Sequence, residues 1–199
     1  MVDQQRQKEW AYEWSSFTND SLFLFTEWIH PATLEDFQGK TVLDCGCGSG
    51  SHLAFLAPYI YRGIGVDLNS AHSARAATKR HPHIGIVCGD VATISFTQQF
   101  DIVYSIGVIH HTDDPDATFH NIQSLVKKGG RLIIWVYSYE GNFLTRSLID
   151  PMKKLLFKGA NRNFLFLLAK MLTLFLYIPV YSLYLIPLTF LPFYEYFGN

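Results

Sequence analysis

Charge is scarce in this sequence, and almost none of it is in surplus. Only 17% of the 199 residues are Asp, Glu, Lys or Arg, and 16 basic residues nearly cancel 17 acidic ones, for a formal net charge of −1. A nucleic-acid-binding surface depends on an excess of Lys and Arg to neutralise phosphates, so no such partner is expected. Cysteine is scarce too. Three residues, two of them in Cys45-Gly46-Cys47, cannot frame a disulfide scaffold. The opening MVDQQRQKEW lacks the apolar core of a secretory signal. Both absences lead us to expect a cytoplasmic protein. The chain also shows no internal repeat and no low-complexity tract. What it has in quantity is apolar: 49% hydrophobic residues, including 16% aromatic. That excludes intrinsic disorder, and a chain of this length buries a core without covalent staples.

The averages conceal a division. Residues 1–138 carry ten Lys and Arg against fourteen Asp and Glu, whereas residues 139–199 carry six against three. From Phe164 to Tyr194 the one charge is Lys170. A boundary is expected near Tyr139–Asn142, where Glu-Gly-Asn reads as a turn. Three segments follow: a helical N-terminal cap over 1–37, a central domain over 38–138, and an apolar helical segment over 139–199.

Within the first two segments, helices are expected over 5–18 and 20–30, with Asn19, Asp20 and Ser21 offering caps between them. Short apolar strands are expected at Thr41–Asp44, Ile64–Asp67, Ile84–Cys88, Phe100–Ile106 and, after a Gly129-Gly130 turn, Arg131–Tyr137. Helical stretches at Gly50–Ala57, Ser70–Arg80 and Pro115–Val126 separate them. Such alternation predicts a doubly wound α/β domain, a Rossmann-like parallel sheet of order 3-2-1-4-5 with its ligand at the strand C-termini.

The ligand is written in a glycine loop and three acids. Gly46, Gly48 and Gly50 lie between the first strand and its helix, where a ligand must come close to the backbone. A connecting turn would look the same, so the neighbours decide. A dinucleotide fingerprint wants a final glycine or alanine where Ser51 stands. Asp44, ending the first strand, would repel a pyrophosphate but suits an ammonium. Asp67, ending the second, suits both ribose hydroxyls, and Asp90, after the third, suits an adenine amino group. Ammonium, ribose and adenine together describe S-adenosyl-L-methionine.

Asp44-x-Gly46-x-Gly48-x-Gly50, Gly65-Val-Asp67, Gly89-Asp90 and Phe100-Asp101-x-Val-x-Ser105 resemble class I S-adenosylmethionine-dependent methyltransferases. Gly107-Val-Ile-His-His-Thr-Asp-Asp-Pro115 and Lys128-Gly-Gly-Arg-Leu-Ile-Ile134 are similar to the type-11, UbiE-like branch. The Trp- and Tyr-rich opening resembles a bacterial group with an N-terminal helical cap. The resemblance implies backbone contacts to the cofactor from Cys45, Gly46, Cys47, Gly48, Gly50, Leu68, Val91, Ser105 and Ile106, with Asp44 and Asp67 at matching positions. It also implies two further strands after the fifth. Residues 139–199 show no hairpin pattern, so those strands are expected to be missing, leaving the fifth strand's edge open to self-association.

Transfer of an activated methyl group requires alignment above all, and a base when the acceptor arrives protonated. His110 and His111, just past the fourth strand, are the candidates; a loop-capping or packing role is the alternative. Adjacent histidines diverge and no third ligand stands at helical spacing, so no metal is expected. Cys45 and Cys47 are expected on opposite sides of the loop and Cys88 in the core. His52, His72, His81 and His83 are expected in solvent. Trp135 is assigned to the core. Trp10, Trp14 and Trp28 either line the acceptor pocket or, the preferred reading, staple the N-terminal helices to the sheet.

For the apolar C-terminal segment three readings stand open: a lid over a lipophilic acceptor, a membrane-surface or membrane-inserted element, or an interface that completes the sheet. Met171–Tyr194 has the length to span a bilayer, at ~1.5 Å per helical residue against roughly 30 Å, although Pro179, Pro187 and Pro192 interrupt it. The expected function is methylation of a small or lipophilic acceptor, lipophilic if the C-terminal segment is a lid. The rivals are an NAD(P)-dependent oxidoreductase and a non-catalytic remnant that keeps only the cofactor pocket.

Overall fold

A computed structural model describes residues 21–138, 143, 145–157 and 159–184. Trp10, Trp14, Asn19 and Asp20, the expected helix over 5–18, the Tyr139–Asn142 turn and the stretch after 184 lie outside the described residues. The chain divides into two compact units, Met1–Ser138 and Tyr139–Asn199.

The first unit is built on five parallel strands: β1 (Thr41–Cys45), β2 (Arg62–Asp67), β3 (Ile84–Cys88), β4 (Phe100–Ile106) and β5 (Val126–Trp135), in the order β3-β2-β1-β4-β5. Alternate side chains go to opposite faces. Val42, Ile102 and Tyr104 join α1 (Leu22–Ile29), α2 (Ser51–Leu56) and α3 (Ala71–Thr78) in one core, through Phe25, Ile29, Leu53, Leu56 and Ala74. Leu43, Cys45, Val66 and Val103 join Ile122 of α4 (Pro115–Ser124) in the other. Helices on both faces leave the loops at the strand C-termini as the place for a ligand.

Three local expectations are corrected. Cys88 is exposed, not core, because β3 is an edge strand with no neighbour beyond it among the described residues; its thiol donates to the Leu68 carbonyl at 3.3 Å. Gly129-Gly130 is not a turn ahead of β5 but an irregularity inside it: Phe100 pairs with Val126 and Ile102 with Arg131. The extra residues bulge out, and a Cβ on Gly130 would come within 2.7 Å of the Asp101 carbonyl oxygen. Ser21 takes the N-cap position of α1 without a side-chain cap bond. At α4 the cap forms as the sequence suggests, Asp114 accepting from Ala117 N–H at 2.9 Å ahead of Pro115.

The end of the sheet away from the loops is tied by a cluster that composition does not reveal. Lys127 of β5 reaches Asp101 of β4 at 2.8 Å, and Asp101 also accepts from the Thr41 amide and hydroxyl at the start of β1. Burial pushes the Asp101 carboxyl up, but the Lys127 and Thr41 hydrogen bonds outweigh it and hold it at about 2.

The second unit contains a π-helical turn (Thr145–Ile149), α5 (Asp150–Phe157) and α6 (Arg162–Tyr184). Pro179 does not end α6, which continues one turn past it. No helix among the described residues is long and apolar enough to cross a membrane, which corrects the length argument for a span as far as those residues go.

Candidate functional site

The glycine loop folds back onto the end of β2. Gly46 and Cys47 N–H both donate to the Val66 carbonyl, at 2.8 and 3.0 Å, and Gly50 N–H donates to the Cys47 carbonyl at 2.8 Å. Gly46 has φ +88°, and a Cβ there would stand 2.3 Å from Val108 Cγ2. Gly50, at φ +83°, leaves no room either: Ala74 Cα would be 2.9 Å from its Cβ. Glycine is therefore required at both positions. Cys45 and Cys47 are buried in opposite cores, and burial raises both thiols well above their ordinary range. They are packing residues, not a redox pair.

The three acids have distinct settings. Asp67 is half-buried at the tip of β2; its Oδ2 accepts from Gly48 N–H at 3.0 Å and its Oδ1 from Asn69 and Ser70 N–H at 2.9 and 2.7 Å. An ionised carboxylate has about four lone-pair sites, so these amides orient it and leave capacity for a ligand. Asp90 accepts from Ala92 N–H at 2.9 Å, which turns the chain after β3. Asp44 is 1% exposed and accepts from the Tyr104 hydroxyl at 2.8 Å.

A cavity of about 420 Å³ opens over these strand ends. Of the residues expected to contact a cofactor, Gly46, Asp67, Leu68, Asp90, Val91 and Ile106 line it. Asp44, Cys45, Cys47, Gly48, Gly50 and Ser105 lie behind the lining; Ser105, fully buried, donates to the Cys45 carbonyl at 3.0 Å and ties β4 to β1.

The two histidines separate. His111 is exposed and lines the cavity. His110 lies beside it with its ring tilted, ring centres 4.0 Å apart, but both its ring nitrogens are buried without a hydrogen-bond partner among the described residues. Burial lowers its pKa, so the neutral ring is favoured. Adjacent residues on the short 3-10 turn Ile109–His111 face different surroundings, which explains the split.

One wall of the cavity is aromatic. Trp28 of α1 and Trp135 of β5 approach to 5.3 Å between ring centres, and Tyr137 follows at 5.1 Å from Trp135. Trp135 is therefore only half-buried and lines the cavity instead of the core, and Trp28 lines it as well as holding α1 in place. His52, expected in solvent, is also in the lining and stacks on Phe25 at 4.7 Å. His83 is half-buried too, its Nε2 within 3.1 Å of the Ala57 carbonyl.

Residues 43–134 match the methyltransferase domain family of type 11. Over those residues, just under half of its length, the chain is similar to a methyltransferase domain. Among curated proteins it is 31% identical over 99 residues to the ubiquinone biosynthesis O-methyltransferase of Coxiella burnetii, covering 48% of this chain and 42% of that one. It is 30% identical over 118 residues to the tRNA U34 carboxymethyltransferase of Alteromonas mediterranea, covering 54% and 36%. The chain thus spans less than half the length of these relatives. In architecture it is similar to the N-methyltransferase NodS of Bradyrhizobium japonicum, solved with S-adenosyl-L-homocysteine, with a TM-score of 0.56 at 20% identity over 64% of this chain and 71% of that one. The sugar N-methyltransferase KedS8 of Streptoalloteichus gives a TM-score of 0.50 at 24% identity, over 65% and 60%. These two likenesses concern the fold.

The lining of this cavity fits the cofactor that such a domain implies. Asp67, Asp90, Asp113 and Asp114 line it, and among the described residues no Lys or Arg does. Such a surface repels phosphates and accepts a cationic nucleoside. Sequence reasoning missed Tyr104, His52 and the amides of Asn69 and Ser70. No local pattern marks them, because each acts through a contact made by the fold.

Proposed function

We propose that this protein is an S-adenosylmethionine-dependent methyltransferase acting on a small, lipophilic acceptor. The observation that carries the reading is that a cavity seated on a glycine loop is lined by four aspartates and, among the described residues, by no Lys or Arg. Asp67 accepts the ribose hydroxyls, Asp90 and Val91 meet the adenine edge, and Leu68 packs against the base. The backbone of Cys45–Gly50 and of Ser105–Ile106 bounds the amino-acid end, with Asp44 behind it as counter-charge to the ammonium. Bound there, S-adenosylmethionine supplies a methyl group already activated on a sulfonium.

The chain's own task is to align the acceptor and keep water out. Trp28, Trp135 and Tyr137 offer flat apolar surface for that. His111, reachable from the cavity, takes a proton from an acceptor that arrives protonated. His110 supports it from beneath in neutral form. Calorimetry should detect binding of S-adenosylhomocysteine and none of NADH. Tight NADH binding overturns the reading in favour of the oxidoreductase. Labelled-methyl transfer into a lysate, followed by mass spectrometry, identifies the acceptor; cofactor binding with no labelled product would indicate a non-catalytic remnant.

A second reading concerns place of action, the cytoplasmic side of a membrane. Phe166, Leu172 and Ile178, about 120° apart around a helix of ~3.6 residues per turn, are 49%, 53% and 63% exposed on α6. A helix apolar on all sides is suited to lipid or to burial, not to water. The basic excess of residues 139–199 suits anionic headgroups. The protein should float with phosphatidylglycerol vesicles, and failure to float with any vesicle removes the membrane from the proposal.

A further inference from the structure

The geometry points to Tyr104 as the positioning residue that sets Asp44 for the cofactor's amino-acid end; the assignment rests on the cofactor reading above. Tyr104 and Asp44 are register partners across β4 and β1, and the Tyr104 hydroxyl donates to Asp44 Oδ2 at 2.8 Å. Neither side chain is open to solvent, at 0% and 1% exposure. The ring is held by Phe25 and Phe37, with centres at 5.9 and 6.3 Å, so the hydroxyl has little freedom to leave.

Direction matters here. Burial, then the nearby Asp44 carboxylate, push the phenol's pKa well up, so the group is always a donor at working pH. Among the described residues, Cys45 and Cys47 also act on the phenol, and burial keeps their thiols protonated. A hydrogen bond to one oxygen of a carboxylate limits its rotation. That fixes the direction in which Asp44 faces the region where an ammonium belongs. Volume alone would be filled as well by phenylalanine, so the hydroxyl carries the inference.

The experiment compares two nucleosides by calorimetry. S-adenosylhomocysteine carries the α-amino acid; methylthioadenosine has the same nucleoside and thioether without it. In Tyr104→Phe, affinity for S-adenosylhomocysteine should fall about tenfold, the loss expected for a hydrogen bond to a charged group, while methylthioadenosine binds as in wild type. In an Asp44→Asn background, Tyr104→Phe should cause little further loss, since the two act through one interaction. Equal losses for both nucleosides, no loss for either, or additive effects in the double variant overturn this assignment alone. If wild type binds neither nucleoside, the cofactor reading falls and the assignment with it. Should Tyr104→Phe fail to fold, Tyr104→3-fluorotyrosine keeps the ring and makes the hydroxyl a stronger donor: affinity for S-adenosylhomocysteine should change and that for methylthioadenosine should not, and equal changes or none overturn the assignment.

Discussion

Gly48 donates its backbone N–H to Asp67 Oδ2 at 3.0 Å, which couples the glycine loop after β1 to the acid at the end of β2. One carboxylate therefore both shapes the loop and faces the cavity. Replacing it should damage two things at once. Asp67→Ala should weaken S-adenosylhomocysteine binding about a hundredfold, near 3 kcal/mol. Asp67→Asn, which keeps one acceptor oxygen, should lose less. Calorimetry reads both, and an alanine variant with wild-type affinity contradicts the assignment.

Gly46 tests the loop itself. Gly46→Ala must place a methyl against Val108 while holding φ at +88°. The backbone strain alone is of order 1–3 kcal/mol. The variant should melt several degrees lower and bind cofactor weakly. Adding Val108→Ala should recover part of the stability but not all, since φ is unchanged. Thermal melts of the single and double variants check this.

His110 predicts a pH dependence of stability. Its folded pKa lies below the ordinary 6.5, so the unfolded chain binds the proton more readily. Stability should fall as pH drops through the unfolded value of 6.5 and level off below the lowered folded value. His110→Phe keeps a ring and should flatten that step in urea titrations taken across pH.

The Lys127–Asp101 pair acts in acid. Asp101 is held at about 2 against an ordinary 3.8. Its contribution to stability is complete above 3.8 and is lost as pH falls towards about 2. Lys127→Met should lower stability at neutral pH and shrink the acid-dependent loss in that window. Denaturation curves at neutral and acid pH give the comparison.

Strand β5 pairs with β4 alone among the described residues. An open parallel edge invites pairing with another chain. The 199-residue chain should sediment as an oligomer at high concentration, and a single sharp monomer boundary would count against it.

Much of this protein was legible before folding. Val42–Asp44, Ile64–Asp67 and Phe100–Ile106 announce buried strands because apolar runs are cut by glycine and acid at fixed places. The loop glycines and Asp67 stand out for the same reason: their chemistry is local, set by strand end and turn. Tertiary structure alone decided what depends on pairing across distance. It exposed Cys88 by making β3 an edge, absorbed Gly129-Gly130 into a bulged β5, and parted His110 from His111. It also set Tyr104 against Asp44 and Trp28 against Trp135. Backbone preferences and apolar periodicity travel with the chain itself, whereas burial and hydrogen-bond partners exist only once remote segments meet.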